Sequence, residues 1–246
     1  MQVVKPMCSV VLLGCLLSGQ NAAPEAPRHL SASEKAKYVD LISQGKNLLD
    51  AGRIGDKDLI PPLKSYLGSR SAEGIGKENA LMALAKLGDV RAQQEVVCHL
   101  RGKYATDIQN AALNELPYIG GWFAIHLYRE FLTPAAQKKF HKAKPKPDEN
   151  DIAWLEPESW ALMELPKVVP NPPLPPVNPG VVDPKRDRQN DKKTWLNWIN
   201  QHESLLRQLS PTGEGVDFSG RDCRHFKAYA GNQAGEGTTP LSQSLQ

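Results

Sequence analysis

Residues 80–97, ALMALAKLGDVRAQQEVV, decide the fold. Small and apolar side chains recur at helical spacing up to Leu87, Gly88-Asp89 interrupts them, and a second helical pattern carries on through Val96 and Val97. The interruption has the chemistry of a helix stop followed by a helix start. Glycine takes the left-handed conformation that closes one helix, and the aspartate carboxylate accepts the free backbone N–H groups that open the next.

Working outward, the same unit recurs. RIGDKDLIPPLKSYL from Arg53, KLGDVRAQQEVVCHL from Lys86 and YIGGWFAIHLYREFL from Tyr118 align, with Gly55, Gly88 and Gly120 at intervals of 33 and 32 residues. Helical patterns precede the later markers (NALMALAKL from Asn79, NAALNELPYI from Asn110), and a second helix of ten to twelve residues follows each marker. Pro61 and Pro62 fall near the start of such a second helix, where proline costs least. Residues 31–51 are expected to form one helix that pairs with the first unit. A fourth unit is interrupted: ALMELP at 161–166 repeats ALNELP at 112–117 in five of six positions. Eight prolines between Pro166 and Pro184 then exclude helix and favour an extended path, and a helix resumes at Thr194-Trp195 and runs to Leu209. A basic, proline-containing joint spans 138–151, and the proline-rich loop spans 166–191. Residues 211–246, rich in Gly, Ser, Thr and Gln, are expected to be disordered. The fold class expected is therefore all-α, an α-solenoid of about four helix-turn-helix repeats with a proline-rich insertion and a disordered C-terminal tail.

The string at 80–97, with Leu-Gly-Asp-x-Arg between two apolar helices, resembles the short HEAT-type repeats of phycobilisome-lyase-like proteins, over about Lys46 to Leu132. The resemblance implies a solenoid whose second helices line a concave face, and a scaffold that binds other proteins. Arg91 occurs in the second unit alone, and Gly121 replaces the aspartate of the third turn.

The N-terminus carries an address. Lys5 precedes the apolar run Met7–Leu17, and the small, polar stretch SGQNAAPEAP follows, which is the order of an export signal over residues 1–22 with a linker at 23–30. Eleven residues fall well short of the ~20 that a membrane-spanning helix needs. Leu12-Leu13-Gly14-Cys15 resembles the bacterial lipobox, which makes Cys15 the lipidation candidate; cleavage between Gly19 and Ala22 is the alternative. The protein is expected to be exported and periplasmic or outer-membrane-associated, with any membrane attachment made through that lipid. Export permits a Cys98–Cys223 disulfide, but 125 residues separate the two and Cys223 sits in the expected tail, so the unbridged alternative is favoured.

Thirty basic against 27 acidic side chains leave a net charge of +3, too weak a field for a dedicated nucleic-acid binder. Counting 100° per residue from Trp122 gathers His126, Arg129 and Glu130 beside it, opposite Ile125, Tyr128, Phe131 and Leu132. The same count from Val90 gathers Arg91, Gln94, Glu95 and Cys98. Aromatic and arginine clusters have the composition of binding hot spots, so Arg91, Glu95, Trp122, His126, Arg129 and Glu130 are the partner-binding candidates. A plain solvated face, with Arg91 and Glu95 paired at i, i+4, is the competing reading. Trp195, Trp198, Ile199, Leu205, Leu206 and Leu209 share a stripe that reads as core, and His202 with them reads as a satisfied histidine.

Other candidates carry less. Gly74-x-Gly76-Lys77 lacks the rest of a phosphate loop, Cys98-His99 neighbours point about 100° apart, and Cys223-x-His225 offers too few ligands for a metal. Asp183, Asp187 and Asp191 lack the pattern of a calcium loop. No catalytic residue, metal site or cofactor is therefore assigned. The function expected is a non-enzymatic protein–protein interaction scaffold of the bacterial cell envelope, whose partner is another envelope protein. A module binding cell wall or a small ligand through Trp122, Tyr128 and the proline loop is the alternative, and a lyase-like enzyme a third.

Overall fold

A computed structural model describes residues 28–100, 114–135, 157–176, 186–209 and 212–224. It is all-α: among the described residues there is helix, turn and irregular backbone, and no strand. The export signal with Cys15, the joint at 138–151 and the part of the proline loop at 177–185 lie outside the described residues.

The first helix, α1 (Ala32–Ser43), opens on a capping box. The Ser31 hydroxyl accepts from the Glu34 N–H at 3.3 Å, and the Glu34 carboxylate accepts from the Ser31 N–H at 3.0 Å. The single helix expected over 31–51 is in fact two, because the backbone turns at Gly45 and Asn47, both at positive φ, before α2 (Leu48–Ile54) begins. A short 3₁₀ turn (Lys57–Leu59) leads into α3 (Ile60–Leu67), which carries Pro61 and Pro62 in its first turn as expected.

The two Gly-Asp turns behave as their sequence dictates. Gly55 ends α2 in the left-handed conformation and Gly88 follows α4 (Gly74–Lys86) at φ +89°. Each aspartate after them is a buried cap. Asp89 accepts from the Ala92 N–H at 2.9 Å to start α5 (Val90–Leu100), and its other oxygen takes the Lys64 ammonium of α3 at 2.7 Å. Asp56 accepts from the Leu30 N–H at 2.9 Å and the Asp58 N–H at 3.0 Å. The Leu30 bond above all holds the Asp56 carboxyl below the usual carboxylate range. Asp56 is thus more acidic folded than unfolded, and its contribution to stability is present above an unfolded value near ~3.9 and is lost as pH falls through the folded one. Asp56→Ala is expected to cost about 1–2 kcal/mol at pH 7, with the gap from the natural protein shrinking between pH 4 and pH 2. Urea titrations across that range check it.

Helix α4 is the hub of the N-terminal half. Ala80, Leu81, Ala83, Leu84 and Ala85 are buried on nearly every side of it, since it packs against α2, α3, α5 and the short α6 (Leu116–Ile119). Helix α7 (Gly121–Phe131) plays that part in the C-terminal half and packs against α6, α8 (Pro157–Val168) and α9 (Arg188–Leu209). Pro166 lies inside α8 rather than ending it. One turn from a helix terminus, a proline forfeits one backbone bond and the helix still closes at Val168. Helix α9 begins six residues before Thr194; Trp195 and Ile199 are fully buried, whereas Leu205 is half exposed and leaves the apolar stripe. The buried Lys192 ammonium of α9 pairs with Glu158 of α8 at 2.9 Å. Arg186 ties the proline stretch down, donating to the Pro175 carbonyl at 3.0 Å and to Asp191 at 2.8 Å. No helix among the described residues is long and apolar enough to cross a membrane.

Candidate functional site

Helix α5 is the place to begin, because its sequence buries three consecutive polar residues, Gln93, Gln94 and Glu95. A buried amide without partners costs about 1–3 kcal/mol, so each glutamine has to be answered. Gln93, with no exposed surface, donates to the Ala85 carbonyl in the last turn of α4 at 2.7 Å and accepts from the Gly213 N–H at 2.9 Å. Gln94 grips a single residue from both sides: it accepts from the Asp217 N–H at 2.8 Å and donates to the Asp217 carbonyl at 3.1 Å. One turn further, Cys98 forms a disulfide with Cys223.

Apart from Ala85, these partners, Gly213, Asp217 and Cys223, belong to residues 212–224, which form a strap docked along α5. This corrects two expectations. The first part of the presumed disordered tail is packed, and Cys98 and Cys223 are bridged; residues 225–246 lie outside the described residues. The strap is built for its place. Gly213 sits at φ +95°, and a Cβ there would come within 3.0 Å of the Phe218 ring and 3.3 Å of the Phe123 backbone, so glycine is required twice over. The Asp217 carboxylate accepts from the Ser219 N–H at 2.9 Å and the Arg221 N–H at 3.0 Å, which folds the chain into the 3₁₀ turn (Arg221–Arg224) that carries Cys223.

The strap also touches α7. The Phe218 ring lies 4.0 Å from the His126 imidazole, centre to centre, and 5.7 Å from the Phe123 ring. Burial, and then the nearby Arg129 charge, push His126 down to about 4, so near neutrality it stacks as an uncharged ring. Residues 212–224 therefore bridge α5 and α7, with Gln93, Gln94 and Cys98 on one side and Phe123 and His126 on the other.

The sequence-predicted residues divide between these two helices. Arg91, half-buried, and Glu95, buried, lie on α5; Trp122, His126, Arg129 and Glu130 lie on α7. Trp122, His126 and Arg129 do come together. The guanidinium of Arg129 lies 5.5 Å from the centre of the Trp122 ring, and His126 meets that ring edge-on at 5.7 Å. Helix α9 supplies the rest: Arg207 lies 4.6 Å from the same ring centre, and Glu203 accepts from Arg129 at 2.9 Å and from Arg207 at 2.7 Å. Those two arginines hold the Glu203 carboxyl below its usual range. The mixed face of α7 is thus covered by α9 and the strap, and only 3% of Trp122 is exposed. Tyr128 is fully buried, so neither ring offers an open face to a stacking ligand. His202 is satisfied as expected, stacked on Trp198 at 4.6 Å with its Nδ1 2.8 Å from the Trp198 carbonyl.

Gln93 and Phe218 are what sequence reasoning passed over, and the Cys98–Cys223 bond is what it weighed and disfavoured. The signal was present in two cysteines left over once an export signal is set aside, and in adjacent glutamines within an otherwise amphipathic helix. Among the described residues no three His, Cys, Asp or Glu side chains gather as a metal site. No family model, no curated protein and no solved structure matches the chain.

Proposed function

We propose that this protein is an exported, non-enzymatic scaffold of the bacterial envelope, an α-solenoid of short HEAT-like repeats that binds another envelope protein along the face made by α5 and α7. One observation carries the reading. Residues 213–217, a non-helical stretch lying across α5 and α7, are held by hydrogen bonds between glutamine side chains and main-chain groups, a mode that would serve equally for a segment of another protein. The repeated Gly-Asp turns at 55–56 and 88–89, each with a buried capping carboxylate, support the repeat architecture. The Cys98–Cys223 disulfide supports export, because such bonds persist in oxidising compartments.

Arg91 and Glu130 stand half-buried on the two helices that frame the groove and are the side chains to test. Affinity capture from native envelope, with a Cys223→Ser bait whose strap is not held by the disulfide, is expected to enrich one envelope protein in amounts comparable with the bait. Arg91→Glu with Glu130→Arg should lower that enrichment at least tenfold while helicity by circular dichroism stays the same. Undiminished capture by the charge-reversed protein, or no retained protein at all, overturns the reading.

A further inference from the structure

We infer that the 212–224 strap is a releasable occupant of the α5–α7 groove, latched by Cys98–Cys223, and that thiol–disulfide exchange frees the groove for a non-helical segment of the partner. The inference rests on the partner-binding reading above and adds its regulation and the chemistry of what is recognised.

The bond joins the strap to the helical body without joining one core helix to another. The packing of α4 on α5, of α7 on α8 and of α7 on α9 is made by the helices themselves. What else holds the strap includes the Gly213 bond to Gln93, the pair of Asp217 bonds to Gln94, and the Phe218 ring on His126 and Phe123. Cys98 and Cys223 are both only half-buried, so an attacking thiolate can reach them. The reductant is a dithiol donor. Its thiolate attacks one sulfur to give a mixed disulfide, and its second thiol then displaces the remaining bond. Two electrons and two protons pass to the protein, leaving Cys98 and Cys223 as thiols and the donor as a disulfide.

Departure of the strap leaves a floor with specific needs. Gln93 keeps the Ala85 carbonyl but loses the Gly213 N–H, Gln94 loses both main-chain groups of Asp217, and Phe123 and His126 lose a covering ring. The replacement that answers all of these is a peptide segment with a glycine where Gly213 lies, a free N–H and C=O where Asp217 lies, and an aromatic ring next to it. Recognition is through main chain and one ring, so the incoming segment shares those features and little else.

The test uses the full-length chain. On treatment with dithiothreitol, amide hydrogen exchange within 212–224 should rise at least tenfold, with the amides of α7 and α9 unchanged. A labelled peptide of residues 212–224 with serine at position 223 is then offered to the full-length Phe218→Ala, Cys223→Ser protein, whose own strap is weakened. Saturable binding by fluorescence anisotropy is expected, reduced at least tenfold by a further Gln94→Leu, and absent for the oxidised natural protein. A reduced strap as protected as the oxidised one, or helicity lost throughout on reduction, overturns the latch and leaves the partner-binding reading standing. A released strap with no peptide binding overturns the groove as a docking site, and the partner-binding reading with it.

Discussion

Trp122→Ala is expected to lower stability by about 3–5 kcal/mol, the range for truncating a large buried aromatic, and to do so without first abolishing any binding at the surface. The ring is at the junction of α7 and α9. It lies beneath the Arg129 and Arg207 guanidiniums, meets His126 edge-on, and is within the layer that α9 closes over α7. Truncation opens a cavity and also removes the π-face that two guanidiniums lie over, each contact contributing about 0.5–1 kcal/mol at a partly exposed site. Urea denaturation followed by the fluorescence of the four remaining tryptophans measures the loss. Arg129→Glu belongs to the same mechanism: it places a carboxylate against Glu203, so weakened α7–α9 packing is expected to accompany any change in partner capture.

Lys192→Met is the second large effect. The ammonium is about 10% exposed and its partner Glu158 about 9%, so removing it takes a cation away from a buried carboxylate. Breaking such a pair from one side costs about 3–5 kcal/mol, whereas replacing both members by apolar residues of similar volume is often neutral or stabilising. Lys192→Met should therefore fall in that range, and adding Glu158→Leu should recover most of it. If the double variant proves no more stable than the single one, the pair is not what joins the start of α9 to the start of α8.

What the sequence disclosed follows from how local each determinant is. The Gly88-Asp89 turn was legible because cap and stop are made by neighbours: Asp89 bonds to Ala92 three residues on. The break between α1 and α2 was not read, although Gly45 marks it, because a lone glycine inside a helical pattern does not by itself end a helix and Asn47 reaches positive φ with no such mark. Amphipathic counting correctly divided α7 into an apolar and a mixed face. It could not tell that the mixed face has an intramolecular partner, since Glu203 lies 74 residues beyond Arg129. The strap shows the same limit more sharply. Judged locally, a stretch of Gly, Ser and Asp lacks the apolar surface to order itself. Its order comes from Gln94, 123 residues earlier, and from the cysteine one turn beyond.

The bond between Cys98 and Cys223 also sets how this protein carries mechanical load. Tension applied between residue 28 and residue 224 passes directly across the sulfur bridge, so the intervening chain bears none of it. With 125 residues enclosed, roughly 410–450 Å of extensible contour is hidden from the pulling force. Residues 28–97 lie on the loaded path, whereas the segments that hold α6 to α9 lie inside the loop the bridge closes. Cutting the bridge exchanges a short, stiff tether for a long, compliant one.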